Sequence, residues 1–229
     1  MVSLKEISDL VERKKKFWIA FVGDSKTSCE WVHPNWREIV EYVLKEELER
    51  EYGENWRIPS WGIRCYNFGY DGATTKDILD KVSDINLVHP DMLISIMGSN
   101  DVKFGISPEK HVANIEEIIN KVKTNVVWCT STLSINEERN KVYGTYADAL
   151  LEIQEKKGLR LINMLKIFKR FPLEKFFTFK EKGAPDSTHP NQLGNAYIAK
   201  VVLKEVFGVE FNPERFWKET LQGEKYPQY

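Results

Sequence analysis

The chain is poor in cysteine and histidine and has no surplus of charge. Its 229 residues include three cysteines, Cys29, Cys65 and Cys129. An odd number without metal-type spacing excludes a disulfide framework. Cys65 and Cys129 sit in apolar runs, where a thiol behaves as a small hydrophobe. Of the four histidines, none is paired at ligand spacing, so no metal site is expected; His89 and His111 read as surface or loop residues. Lys and Arg (33) balance Asp and Glu (34), which removes the electrostatic case for nucleic acid. The basic run Arg13–Lys16 reads as a solvated lead-in to the first strand. No apolar run reaches membrane-spanning length. Phe17–Val22, which follows the basic run, is too short for a signal-peptide core, and no small-residue cleavage site comes after it. A reducing, cytoplasmic setting without stable membrane insertion is the expectation. Oligomeric state is not legible.

What is present suits a folded core: 42% hydrophobic and 29% charged residues. Five short β-rich runs, 17–22, 62–67, 92–97, 125–130 and 159–163, alternate with helical patterns. Those patterns cover 36–52, a segment from Thr74-Thr75, a segment after Ser107-Pro108, and about 142–156 and 191–207. This alternation predicts a five-stranded parallel sheet covered on both faces, in one α/β domain over 1–229. The irregular tail 209–229 is expected to pack on that domain.

In such a sheet the ligand crevice lies beyond the carboxyl ends of the strands. Strand one delivers Gly23-Asp24-Ser25, strand two "NFGYDGATT" and strand three Gly98-Ser99-Asn100-Asp101. "DSTHPN", residues 186–191, precedes the last helix. Each piece alone is explained by turns and helix caps; together, each after the expected strand, they fit nucleophilic catalysis. A serine hydroxyl needs a base to take its proton during attack. His189, three residues after Asp186, can turn one ring nitrogen to that carboxylate and the other to Ser25. The backbone N–H groups of Ser25 and Gly72 and the amide of Asn100 are candidate oxyanion donors. Asp24 is expected to brace the loop rather than to react.

These blocks resemble the SGNH hydrolases, also called the GDSL family of esterases and lipases. Gly23-Asp24-Ser25, Gly72, Gly98–Asp101 and Asp186–Pro190 match the family's blocks in order. The resemblance implies a three-layer α/β/α, flavodoxin-like fold, no cofactor, and a hydrolase with Ser25 as nucleophile. It departs from the family at Lys26 and Cys29, where members often carry an apolar residue and a glycine. Lys26 is expected to be solvated, with contact to an anionic substrate as the alternative. Cys29 has no dedicated base and is not expected to be a nucleophile.

For specificity, Trp31 is a candidate to stack on a sugar ring or acyl chain, whereas Trp36 fits a buried helix face. His33 is a weak rival base because no carboxylate stands at short spacing. Phe176 and Phe177, with Phe179, are expected to line an acyl pocket, to form a lid, or to anchor a long loop. The loop 131–141 is a further candidate wall. The expectation is a serine esterase acting on a small-molecule ester, with short acyl or carbohydrate O-acetyl esters favoured. An acyltransferase, thioesterase or lysophospholipase with the same residues is the alternative, as is a non-catalytic flavodoxin-like binding module. "GDSKTS" resembles a phosphate loop only superficially.

Overall fold

The computed structural model describes residues 1–157, 159–181 and 183–216. Five strands form the main sheet: β1 (Phe17–Gly23), β2 (Ile63–Gly69), β3 (Met92–Ile96), β4 (Asn125–Cys129) and β5 (Arg160–Ile162). Their order is β2-β1-β3-β4-β5 and every pairing is parallel. β1 lies between β2 and β3, so the ends of these three strands lie side by side.

The two-residue period of a strand sends alternate side chains to opposite faces, and β1 shows the division. Phe17, Ile19 and Phe21 enter one core cluster; Ala20 and Val22 enter the other. The first cluster is closed by α1 (Leu4–Lys14), α3 (Trp36–Tyr52) and α10 (Gln192–Val202). The second is closed by α4 (Thr75–Asp80), α5 (Val82–Leu87), α7 (Pro108–Lys121) and α8 (Glu137–Lys157). The result is three layers, α/β/α, with both sheet faces buried. Short helices α2 (Ser25–Ser28), α6 (Ser99–Lys103) and α9 (Met164–Phe168) follow β1, β3 and β5.

Several expectations need adjustment. The basic run is largely exposed ahead of β1, as expected, but its first two residues belong to a helix, α1. In α1, Ser3 and Glu6 form a capping box, and Ile7 and Val11 are fully buried. The helical pattern after Thr74 is broken at Lys81 into α4 and α5. The helix expected from about 142 begins at Glu137. α10 runs on as a π-helical turn, Leu203–Phe207. Of the 209–229 tail, Val209, Pro213 and Phe216 are buried; 217–229 lie outside the described residues. No helix among the described residues is long and apolar enough to cross a membrane.

Candidate active site

The end of β1 turns into α2 through two close approaches that exclude side chains. A Cβ on Gly23 would stand 2.4 Å from Thr27 Oγ1 and 2.7 Å from the Ile96 carbonyl. A Cβ on Gly69, at the end of β2, would stand 2.4 Å from the Ser28 nitrogen. Glycine at both positions lets α2 sit directly on the sheet edge, with Ser25 as its first residue.

Asp24 caps this short helix from a fully buried position. Its Oδ1 accepts the Lys26 N–H at 3.0 Å, and its Oδ2 accepts the Ser99 hydroxyl at 2.9 Å. Lys26 does not reach solvent or the cleft as expected. Its ammonium is buried, donates to Ser99 Oγ at 2.6 Å and lies 3.5 Å from Asp24 Oδ2. A buried carboxylate needs a partner, and Lys26 supplies it. This also removes the lysine from any phosphate-loop role.

Ser25 and the Asp186–His189 loop meet across 164 residues of sequence. Ser25 Oγ lies 2.9 Å from His189 Nε2, and His189 Nδ1 lies 2.7 Å from Asp186 Oδ2. Asp186 Oδ1 accepts the N–H groups of Thr188 (2.7 Å) and His189 (3.1 Å). Burial works against the charge on Asp186, but these N–H groups and the imidazole outweigh it and hold the carboxyl below its usual range. An ionised carboxylate on Nδ1 fixes the tautomer that leaves Nε2 free to accept a proton.

A cleft of about 360 Å³ opens over this pair, and Ser25, Gly72, Asn100 and His189 all line it. Gly72 has a positive φ of 74°. Asn100 is anchored by its amide nitrogen on the Ala73 carbonyl at 3.0 Å. Asp101 beside it is fully buried and accepts the Thr75 N–H at 3.1 Å, tying α6 to α4. His111, expected at the surface, is buried behind this block. Its Nδ1 is 3.1 Å from Asp101 Oδ1, without the alignment of a hydrogen bond.

Trp31 lies flat on His189, ring centroids 4.0 Å apart and planes 4° apart. Its indole N–H donates to Asp71 Oδ2 at 2.9 Å, and Asp71 Oδ1 accepts the Ser28 hydroxyl at 2.6 Å. Asp71 escaped the sequence reading, although it adjoins Gly72. Lys103, Arg139 and Tyr143 also line the cleft. Arg139 donates to the hydroxyls of Ser187 (3.0 Å) and Thr188 (2.9 Å), beside the histidine loop. The expected 131–141 wall therefore exists, but as the first turn of α8.

Phe176 and Phe177 are not in the cleft wall. Both are buried in the core cluster under α10. Phe176 packs against Phe168 and Tyr197, and its carbonyl accepts the Asn191 N–H at 2.7 Å. The aromatic run anchors the loop before His189, which is the third of its expected roles. Phe179 is half-buried in the same segment.

Cys29 closes α2 with a φ of 79°. Its thiol donates to Glu38 Oε2 at 3.1 Å. Burial, then the hydrogen bond and charge of Glu38, push this thiol up to about 11, so it is neutral at pH 7. His33, expected to lack a carboxylate, has its Nδ1 3.1 Å from Glu38 Oε2. It is exposed and faces Cys29 and Glu38 instead of Ser25. Linear spacing gave no metal-type grouping; the fold creates one from Cys29, His33 and Glu38.

Residues 21–197 match the GDSL-like Lipase/Acylhydrolase family. No curated protein matches. Among solved structures, a lipase/acylhydrolase from Enterococcus faecalis is 21% identical, with a TM-score of 0.65 over 84% of this chain and 96% of that one. A G-D-S-L family lipolytic protein from Veillonella parvula is 18% identical, with a TM-score of 0.64 over 84% and 98%. A catalytic mutant of an acetylxylan esterase from Geobacillus stearothermophilus is 19% identical, with a TM-score of 0.62 over 83% and 94%. These likenesses establish the fold.

Proposed function

From the premise that this chain belongs to the GDSL-like lipase/acylhydrolase family and is an ester-hydrolysing enzyme, we propose a serine esterase that works through Ser25, His189 and Asp186. The observation that carries this reading is the unbroken line from Ser25 Oγ through His189 to Asp186, at 2.9 and 2.7 Å. Ser25 Oγ attacks the ester carbonyl carbon while His189 Nε2 takes its proton. Asp186 stabilises the imidazolium that forms and stays ionised itself. The negative oxygen of the tetrahedral intermediate is received by the N–H groups of Ser25 and Gly72 and the Asn100 amide. Collapse breaks the bond to the leaving alcohol, which takes the proton from His189 and leaves Ser25 acylated. A water then loses a proton to His189, attacks the acyl carbon and releases the acid, restoring Ser25.

The substrate class we propose is a short acyl ester of a polar alcohol, with an O-acetylated carbohydrate favoured. The cleft supports this through its mixture of an aromatic plate, Trp31, and polar groups, Asp71, Ser99, Asn100, Arg139 and Thr188. Planar rings beside hydrogen-bonding groups suit sugar faces and hydroxyls better than a long alkyl chain. The acetylxylan esterase among the structural neighbours acts on such an ester.

The test is turnover of p-nitrophenyl acetate, butyrate and octanoate and of an acetylated oligosaccharide, with Ser25→Ala and His189→Ala alongside. Loss of about 10⁴-fold or more in kcat for both variants is expected, with acetate preferred over octanoate. Labelling of Ser25 by a fluorophosphonate reports the nucleophile independently of substrate choice. Full activity in Ser25→Ala would overturn the assignment. An added alcohol acceptor separates transfer from hydrolysis, because both share the acylated serine.

A further inference from the structure

Beside the cleft, three side chains from one stretch of chain converge with no role in the ester chemistry. Cys29 Sγ lies 3.9 Å from His33 Nδ1 and 3.1 Å from Glu38 Oε2, and Nδ1 lies 3.1 Å from the same oxygen. A zinc ion bound by sulfur, nitrogen and oxygen at about 2.0–2.3 Å with tetrahedral angles holds neighbouring ligand atoms roughly 3.3–3.8 Å apart. The observed triangle differs from that by a few tenths of an ångström per edge, which side-chain rotation supplies. We propose that Cys29, His33 and Glu38 form a binding site for one thiophilic divalent cation, Zn²⁺ or its analogue Co²⁺, with a fourth position open to water.

A second observation points the same way. Cys29 holds a φ of 79°, a backbone state that favours glycine and strains a residue with a Cβ. Here the chain keeps a thiol, aimed at an imidazole and a carboxylate. Strain retained at a residue with ligating chemistry is a pointer to function. A thiolate, imidazole and carboxylate set selects zinc-like ions over magnesium or calcium, which prefer all-oxygen shells. Binding exchanges the cation for the thiol proton, which leaves to solvent. Glu38 can ligate and still serve α3, because Oε2 has a second lone pair for the Asn35 N–H that it accepts at 2.8 Å.

The location gives the site a consequence. Cys29 and His33 flank Trp31, and Trp31 covers His189. A cation joining both ends of that short loop pins the indole in place without entering the reaction.

The experiment takes the full chain after dialysis against a chelator and titrates it with Co²⁺ and with Zn²⁺ against a competing chromophoric chelator. Expected are one ion per chain, a thiolate-to-cobalt charge-transfer band in the near ultraviolet, and a Tm raised by on the order of 5 °C at about 100 times Kd of Zn²⁺. Cys29→Ser abolishes the band. Cys29→Ser and His33→Ala each weaken binding by about 100-fold or more, with circular dichroism verifying that both variants are folded. Absence of stoichiometric binding by the wild type would overturn the proposal, and so would binding that persists unchanged in folded Cys29→Ser. Neither readout depends on esterase activity, so this site and the Ser25 assignment stand or fall separately.

Discussion

The indole of Trp31 is stacked on the imidazole of His189, 4.0 Å between centroids with the ring planes nearly parallel. One face of the His189 imidazole is therefore covered by an aromatic plate that is itself held by Asp71. Stacked aromatic pairs contribute about 0.5–1.5 kcal/mol beyond area burial, and a π-face favours the imidazolium that forms during attack. Trp31→Ala should lower kcat/KM for p-nitrophenyl acetate by roughly 3- to 10-fold, and Trp31→Phe should keep most of it. An unchanged kcat/KM in the alanine variant would show that the plate serves only the substrate's alcohol side.

Lys26, expected in solvent or against an anionic substrate, is buried on Asp24, and Arg139 from the 131–141 segment lines the cleft. Lys26 neutralises buried Asp24, so Lys26→Met leaves an uncompensated carboxylate in the interior. The expected loss is about 3–5 kcal/mol of stability, read by urea unfolding, with the KM ratio of anionic to neutral esters unchanged in the folded fraction. Arg139 lines the cleft, and Arg139→Ala should raise KM for a sugar acetate several-fold with little loss of stability. A stable Lys26→Met enzyme with altered charge selectivity would reverse this assignment.

Phe176 supports the histidine loop from below. Phe176→Ala should cost about 3–5 kcal/mol through the cavity it leaves and should not shift preference along the series acetate, butyrate, octanoate. A changed chain-length profile at full stability would return the residue to the pocket.

Asp186 links the site to acid stability. Its carboxyl is held below the usual range, so near the ordinary carboxylate pKa of about 3.9 the unfolded chain binds more protons at this position than the folded one. The stabilisation is fully present above that range and is lost as pH falls through the folded value. The part of the stability gap between wild type and Asp186→Asn that comes from this carboxylate should shrink as pH falls below about 4. A gap independent of pH over that range would mean that the carboxylate gains nothing from its N–H partners.

Much of this architecture is written locally. The five strands and the helices after Asn35 and Ser107 follow from apolar period, caps and a first-turn proline, and all are found within a few residues. The capping box Ser3–Glu6 also announces α1 locally, but the neighbouring run of lysines obscured it. That Ser25, Gly72, Asn100, Asp186 and His189 would meet around one cleft was legible because each follows a strand or precedes a helix at a fixed place. Lys26 and Phe176 were not, because burial depends on what packs from elsewhere: Ser99 and Asp24 for the lysine, Phe168 and Tyr197 for the ring. Arg139 and Asp71 carry no local signature, and only the meeting of α8 and the β2 loop over β1 makes them neighbours of the serine. The Cys29–His33–Glu38 cluster was hidden for a related reason: its spacings of four and five residues straddle a helix end and a loop, where neither period applies.

The hydroxyl and the imidazole come from opposite ends of the chain. Ser25 opens α2 at the end of β1, whereas His189 stands just before α10, which packs on α3 where Asn195 accepts the Trp36 N–H. Only long-range packing across 164 residues of sequence brings the two side chains together. On the proposed assignment, activity during refolding is expected to return no earlier than the packing of α10 on α3, which activity followed beside circular dichroism would check.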